Sequence, residues 1–168
     1  VGAGPSGMEA ARLLAMQGHH VEIWEKDKDI GGTVRVAALA YEPNGQLIQY
    51  LQNSLKELKV TIKKNMLATI EKIESFQPDH VIVAVGATRD APPIAGKELD
   101  HVFDGEQLRG LLFGSDVEAI KKLSIFKQLI LKIGRASQLL RNVKALTMLS
   151  KIWMPLSKNI IIIGGDLV

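Results

Sequence analysis

Val1-Gly2-Ala3-Gly4-Pro5-Ser6-Gly7 opens the chain and runs directly into the helical pattern Met8-Glu9-Ala10-Ala11-Arg12-Leu13-Leu14. The glycines form a Gly-x-Gly-x-x-Gly turn ahead of a helix. Each has its own physical task. The first permits a tight turn, the second lets a pyrophosphate approach the backbone, and the third allows close packing of helix on strand. Phosphates at such a turn rest on free N–H groups at the helix N-terminus. A second feature adds weight to the spacing. His20-Val21-Glu22-Ile23-Trp24 is strand-like and leads to Glu25, about 20 residues on, where an acid is placed to hold a ribose hydroxyl. Turn, helix, strand and acid together predict a dinucleotide site.

Composition is consistent with a globular domain that holds such a site. The chain has 168 residues, 46% hydrophobic and 23% charged, which is ordinary for a folded protein and unlike a disordered one. That length accommodates one domain of usual size and part of another. There are no cysteines, so the chain itself holds no disulfide, iron–sulfur cluster or Cys-x-x-Cys pair. This fits a reducing compartment, and a cytoplasmic location is expected. The apolar runs are shorter than the ~18 residues of a membrane span. Val1 is the one residue of the strand that should feed the turn. At the other end Asn159-Ile160-Ile161-Ile162-Ile163 runs into a second glycine turn, Gly164-Gly165-Asp166. Both features predict a piece of a longer protein.

Outward from the turn, residues 5–18 read as a helix closed by Gly18, with Ala10, Leu13, Leu14 and Gln17 about one turn apart. Residues 20–25 are the next strand, followed by the charged turn Lys26-Asp27-Lys28-Asp29 and by Ile30-Gly31-Gly32-Thr33. That glycine pair is either a second close approach of backbone to the ligand or a plain loop. Residues 34–43 show no clean period, and Glu42-Pro43-Asn44-Gly45 reads as a turn. Leu47, Ile48, Leu51, Leu55 and Leu58 mark a helix over 46–58, and Val60-Thr61-Ile62 a short strand. The pattern over 68–73 fits a strand or a helical turn. His80-Val81-Ile82-Val83-Ala84-Val85-Gly86 is a continuous apolar run, expected as a strand buried on both faces. Pro92-Pro93-Ile94-Ala95-Gly96 follows as a rigid loop at the edge where ligands of open α/β sheets bind. The alternation predicts a doubly wound α/β fold.

The stretch 111–157 differs in charge. Its eight Lys and Arg face only Asp116 and Glu118, whereas residues 1–110 carry twelve basic and fifteen acidic side chains. One helix is expected through Ile120, Leu123, Leu129, Ile130 and Ile133. A second is expected through Leu139, Leu140, Val143, Leu146, Leu149 and Trp153, broken from the first near Gly134 and stopped by Pro155. A basic amphipathic pair can lie on a membrane surface or meet an acidic partner. Two ordinary helices with a lysine-rich solvent face explain it more simply, so membrane binding is not expected. Nucleic acid is not expected either, since no aromatic platform accompanies the basic residues. His19, His20, His80 and His101 lack metal spacing, and no side chain stands out as a general acid, base or nucleophile. No catalytic or metal-ligating residue is assigned.

Val1–Ala11, Glu25-Lys26, Gly31-Gly32, and Ala84-Val85-Gly86-Ala87 followed by Pro92–Gly96 together resemble flavoproteins with two dinucleotide-binding domains. The sequence is most similar to the C-terminal half of the old yellow enzyme-related group, which includes 2,4-dienoyl-CoA reductase, trimethylamine dehydrogenase and enoate reductase. The similarity covers most of 1–107 and returns at 153–168. The resemblance implies a Rossmann-like FAD-binding three-layer domain over 1–99. It also implies the start of a NAD(P)-binding domain over 100–168, interrupted by the helical insertion 111–157. A separate N-terminal barrel would carry FMN, an iron–sulfur cluster and the substrate. By position, Gly2, Gly4, Pro5, Ser6 and Gly7 would contact the FAD pyrophosphate. Glu25 would hold the adenosine ribose, with Lys26 beside it. Gly32 and Thr33 would approach the flavin side, and Gly86 would fall where the chain crosses towards the nicotinamide domain.

Three departures from the group's pattern stand out. Ala84-Val85-Gly86 replaces Ala-Thr-Gly and removes a hydroxyl. Asp166 stands where a close-approach glycine is expected and would repel a pyrophosphate. The insertion 111–157 is longer than the resemblance accounts for. The implied activity is electron transfer from NAD(P)H through FAD to a barrel that reduces an enoate or enoyl-type substrate. The alternatives are a non-redox module that holds ADP or FAD as scaffold, and a membrane- or partner-docking element built on 111–157.

Overall fold

The structure, a computed structural model, describes residues 1–87, 94–112, 120–121, 123–136, 148 and 159–163. The chain divides into two units, Val1–Asp90 and Ala91–Val168. In the first, helix α1 (Pro5–Met16) starts with proline at its first position, where a missing N–H costs nothing and the fixed φ suits a helix. It ends in a Schellman closure. Gly18 N–H donates to Ala15 O (3.0 Å) and His19 N–H to Leu14 O (3.1 Å), with Gly18 at φ +89°. Met8 and Ala11 are its buried residues, while Leu13 is 46% exposed. The buried stripe therefore runs through Met8 and Ala11 rather than through Ala10 and Leu13.

Strands β1 (Glu22–Trp24) and β2 (Thr61–Lys63) pair in parallel, with Ile23 opposite Ile62. Between them lie α2 (Val34–Ala40) and α3 (Pro43–Glu57), the crossover that a parallel pair requires. On the other side of β1, Gly2 N–H donates to Trp24 O (2.9 Å). Ala84 N–H in turn donates to Val1 O (2.8 Å). The lateral order is thus 61–63, 22–24, 1–2, 82–84, the 3-2-1-4 order of Rossmann-like folds. The core is Ala3, Met8, Ala11, Ile23, Ile30, Leu51 and Leu55, with Val21, Val60 and Ile62 packed against it. Full burial of a side chain the size of Met8 or Leu55 contributes about 1.5–3 kcal/mol relative to exposure.

Several expectations need correction. Residues 34–40 form α2 despite their weak periodicity; Ala37, Ala38, Leu39 and Ala40 lose little side-chain entropy in a helix. Pro43 does not sit in a turn but starts α3. The undecided stretch at 68–73 becomes helix α4 (Ile70–Phe76), capped by Thr69 Oγ1, which accepts the Lys72 N–H at 3.4 Å. The apolar run 80–86 is irregular and not buried; Val81, Ile82, Val83 and Val85 are all exposed. Among the described residues its backbone partner is Val1, too short a neighbour to cover either face.

In the second unit, α5 (Gly105–Leu112) follows a capping box. Asp104 Oδ1 accepts the Gln107 N–H (2.7 Å), and Gln107 Oε1 accepts the Asp104 N–H (3.2 Å). Helix α6 (Ile125–Ala136) continues past Gly134 instead of breaking there. Residues 160–163 are irregular and exposed rather than a buried strand. An apolar run becomes a buried strand only when neighbours cover it, and the described residues supply none. Pro92, Pro93, Asp166 and the helix expected over 139–153, apart from Met148, lie outside the described residues.

Candidate nucleotide-binding site

The glycine turn is held by contacts that leave no room for side chains at two of its three glycines. Gly2 is at φ +98°, and a Cβ there would lie 2.4 Å from Ala84 O. A Cβ on Gly7 would lie 2.0 Å from Gly2 O and 3.3 Å from the Ala84 methyl. Gly7 thus lets α1 press against the turn, and Gly2 lets the turn press against residue 84. Gly4 differs from both. A Cβ there meets nothing within 4 Å, so its surface faces open space of the kind an approaching pyrophosphate needs.

The electrostatics of that space favour an anion. Gly4 caps α1 without any side-chain bond, and Met8 N–H is the first to close back, on Gly4 O (3.0 Å). The N–H groups of Ser6 and Gly7 therefore have no helical acceptor, and Pro5 carries none. Two donors and the positive end of a 12-residue helix converge beside Gly4.

Across the turn lies the second glycine pair. Gly31 N–H donates to Ala3 O (2.7 Å), and a Cβ on Gly32 would lie 3.3 Å from Gly4 Cα. The Ile30–Thr33 loop and the glycine turn are therefore packed together. Thr33 is exposed at the start of α2, with no side-chain capping bond. Arg35, just inside α2, pairs with Asp29 at 3.4 Å.

Glu25 is the buried polar side chain of the described residues, 7% exposed. Its Oε2 accepts the Ala3 N–H (2.7 Å) and its Oε1 accepts the Asp27 N–H (2.9 Å). A carboxylate has about four acceptor sites, and these two bonds use two of them. Of the sequence-predicted residues, the structure brings Gly2, Gly4, Pro5, Ser6, Gly7, Glu25 and Gly32 to one place. Lys26 is exposed next to Glu25. Gly86, at φ +81°, is exposed two residues beyond the Ala84 contact, with nothing near its own Cα substituent position. Ala3 is a further residue of the site, beyond those the motif spacing indicates. It is fully buried, and both its N–H and its C=O are engaged. A small residue between two required glycines was the available signal.

Behind the site, Trp24 and Phe76 stack edge to face, centroids 5.3 Å apart. The Lys63 ammonium lies over both rings and pairs with Glu22 at 2.8 Å. Lys63 is therefore partnered by both rings and by Glu22. Burial pushes the Glu22 carboxyl up, but bonds from Lys63 and the Trp24 indole outweigh it and hold the group below the ordinary range. Among the described residues no cluster of His, Cys, Asp or Glu is arranged for a metal. No described helix is long and apolar enough to cross a membrane. Helix α6 exposes Ile125, Phe126, Leu129 and Ile133 along one stripe.

Fold and turn together define a dinucleotide-binding α/β domain. Residues 1–52 match the family described as NAD(P)-binding Rossmann-like domain. The chain is 40% identical over 106 residues to a bilirubin reductase of Mediterraneibacter gnavus, and 34% identical over 110 residues to a cinnamate reductase of Clostridium sporogenes. It is also 34% identical over 107 residues to an NADH oxidase of Thermoanaerobacter brockii. These matches cover 62%, 64% and 61% of the chain and 16% of each relative. The chain therefore spans about a sixth of the length of these curated relatives. A solved 2-naphthoyl-CoA reductase complex superimposes with TM-score 0.63 and 25% identity over 90% of this chain and 26% of that one. Residues 1–52 are thus similar to NAD(P)-binding Rossmann-like domains, and the chain is similar to one part of much longer reductases, among them a multifunctional alkene reductase/demethylase of Caballeronia cordobensis.

Proposed function

We propose that this chain is the FAD-binding portion of an NAD(P)H-dependent flavoprotein oxidoreductase. In the whole protein it passes electrons from NAD(P)H through FAD to a separate FMN barrel, which reduces an enoate or enoyl-type substrate. The observation that carries the reading is the open space at Gly4, flanked by the free N–H groups of α1 and by Glu25 with two acceptor sites to spare. Those residues fit a diphosphate joined to a ribose. Kinship with reductases supplies the redox class, and the resemblance supplies the flavin.

The residues here bind and orient; the bound flavin would supply the redox chemistry itself. Ser6 and Gly7 N–H groups hold the pyrophosphate, Pro5 shapes the helix start, and Glu25 with Lys26 takes the adenosine end. Gly32 and Thr33 let the backbone pass close to the ribityl side, and Gly86 turns the chain beyond residue 84. Residues 1–99 form the FAD domain and 100–168 begin the NAD(P) domain.

The test is purification of the full-length protein. Yellow colour from stoichiometric FAD, bleached anaerobically by NADH or NADPH, is the expected outcome. A colourless protein holding ADP would instead establish a non-redox nucleotide module. In the same protein Glu25→Ala weakens FAD by ~1–3 kcal/mol, the order of a lost hydrogen bond to a charged group. Unchanged affinity in a titration would remove Glu25 from the site.

A further inference from the structure

We infer that Glu25 is a positioning residue for the phosphate turn, holding the turn in its binding shape through Ala3 before any ligand arrives. The inference rests on the nucleotide reading of the site and adds a second task to the residue assigned to the ribose. Ala3 is the hinge of the turn, between the glycine that must turn and the glycine that must stay open. Its peptide is gripped on both sides. The N–H donates to Glu25 Oε2 at 2.7 Å, and the C=O accepts from Gly31 N–H at 2.7 Å. The other oxygen of Glu25 accepts Asp27 N–H at 2.9 Å, which fixes the carboxylate to the end of β1. The side chain is 7% exposed and Ala3 fully buried, so water does not replace these bonds. One carboxylate thus ties together β1, the turn and, through Ala3, the Gly31 loop.

The geometry has a consequence that a plain ribose contact lacks. Oε1 and Oε2 both face backbone N–H donors. A carboxamide offers one acceptor oxygen and one NH2 donor, so Glu25→Gln sets donor against donor at either Ala3 or Asp27. A glutamine can still hydrogen-bond a ribose hydroxyl. The same substitution is therefore mild for ribose contact and severe for the grip on the turn. Moreover, the ribose and the diphosphate depend on one group, so loosening it lowers the benefit of the second phosphate as well as that of the sugar.

Two measurements on the full chain and its Glu25→Gln variant test this. Without ligand, amide hydrogen exchange by NMR is expected to quicken about tenfold or more at Ala3 or Asp27 in the variant, with the Leu13 and Leu14 amides inside α1 unchanged. With ADP and AMP as probes, the preference for ADP over AMP is expected to fall by about fivefold or more, because AMP lacks the second phosphate. Wild-type exchange at both amides, or an equal loss of ADP and AMP affinity, overturns the inference. If Glu25→Gln loses protection throughout α1, Glu25→Asp is read by the same exchange comparison, since it keeps the charge but shortens the reach by one methylene. Should the native chain bind neither nucleotide, the nucleotide reading fails, while the exchange comparison still decides the grip on Ala3.

Discussion

A Cβ built on Gly4 meets nothing within 4 Å, whereas one on Gly7 lies 2.0 Å from the Gly2 carbonyl oxygen. The two glycines of one turn therefore predict opposite phenotypes. Gly4 has φ −73° and ψ 176°, an extended conformation open to any residue. Gly4→Val should leave stability within ~0.5 kcal/mol, as for a surface change, yet place a branched side chain where a pyrophosphate must lie. Gly7→Ala should cost about 1–3 kcal/mol or more, because the helix must move off the turn. Denaturant melts of both variants check the stabilities, and cofactor retained by the full-length protein checks the site. A Gly4→Val protein that keeps stoichiometric FAD would show that the pyrophosphate lies elsewhere. The positions of these glycines were legible from spacing alone, but their different reasons were not. Spacing shows where backbone freedom is required; only the packing of residue 84 against Gly2 and Gly7 shows which requirement is internal and which is kept for a ligand.

At the level of elements, the β1–β2 pair carries a pH dependence of known sign. Glu22 on β1 is held below the ordinary carboxylate range by Lys63 and Trp24 in spite of its burial. A lowered folded-state pKa contributes stability above the unfolded value, about 4.3 for Glu, and that contribution disappears as pH falls through the folded value. Glu22→Gln should therefore be less stable than the native chain at neutral pH, by about 1 kcal/mol given the half-exposed Lys63 partner. The difference should shrink as pH drops below the ordinary Glu range. Parallel melting curves across that window measure it, and a gap that widens at low pH would reject the assignment. Elements with strong local signals were readable in advance. Leu47, Leu51, Leu55 and Leu58 marked α3, and Gly18 marked the end of α1. Helix α2 was not readable, since Val34–Ala40 has Arg35 as its single polar residue and so no polar face to set a period. Helix α5 was missed for another reason. Its signal is the Asp104–Gln107 capping box, a two-residue cue that carries no apolar period, ahead of a helix that ends at Leu112.

For the molecule as a whole, the α/β alternation was legible in the sequence, whereas burial was not. Runs such as 81–85 and 160–163 are apolar enough to be central strands, but apolarity records what a segment can bury, not what lies beside it. Val83 is 71% exposed and Ile161 89%. Stability should therefore be unevenly distributed in the first unit. Amides of α3 around Leu51 and Leu55, packed into the core, should exchange most slowly, and those of 81–85 rapidly, apart from the bonded Ala84. Ligand binding then gives a graded response. ADP at a hundred times its dissociation constant stabilises a one-site protein by about 2.7 kcal/mol, so amides that open only by global unfolding of this unit should slow by about a hundredfold. The Ala3 and Asp27 N–H groups, which Glu25 holds, should slow only as far as ADP holds the turn. Exchange measured with and without ADP separates the two groups. If the α3 amides gain protection and those of the turn do not, ADP binds this fold away from the glycine turn, and the placement of the site must be abandoned even though the fold stands.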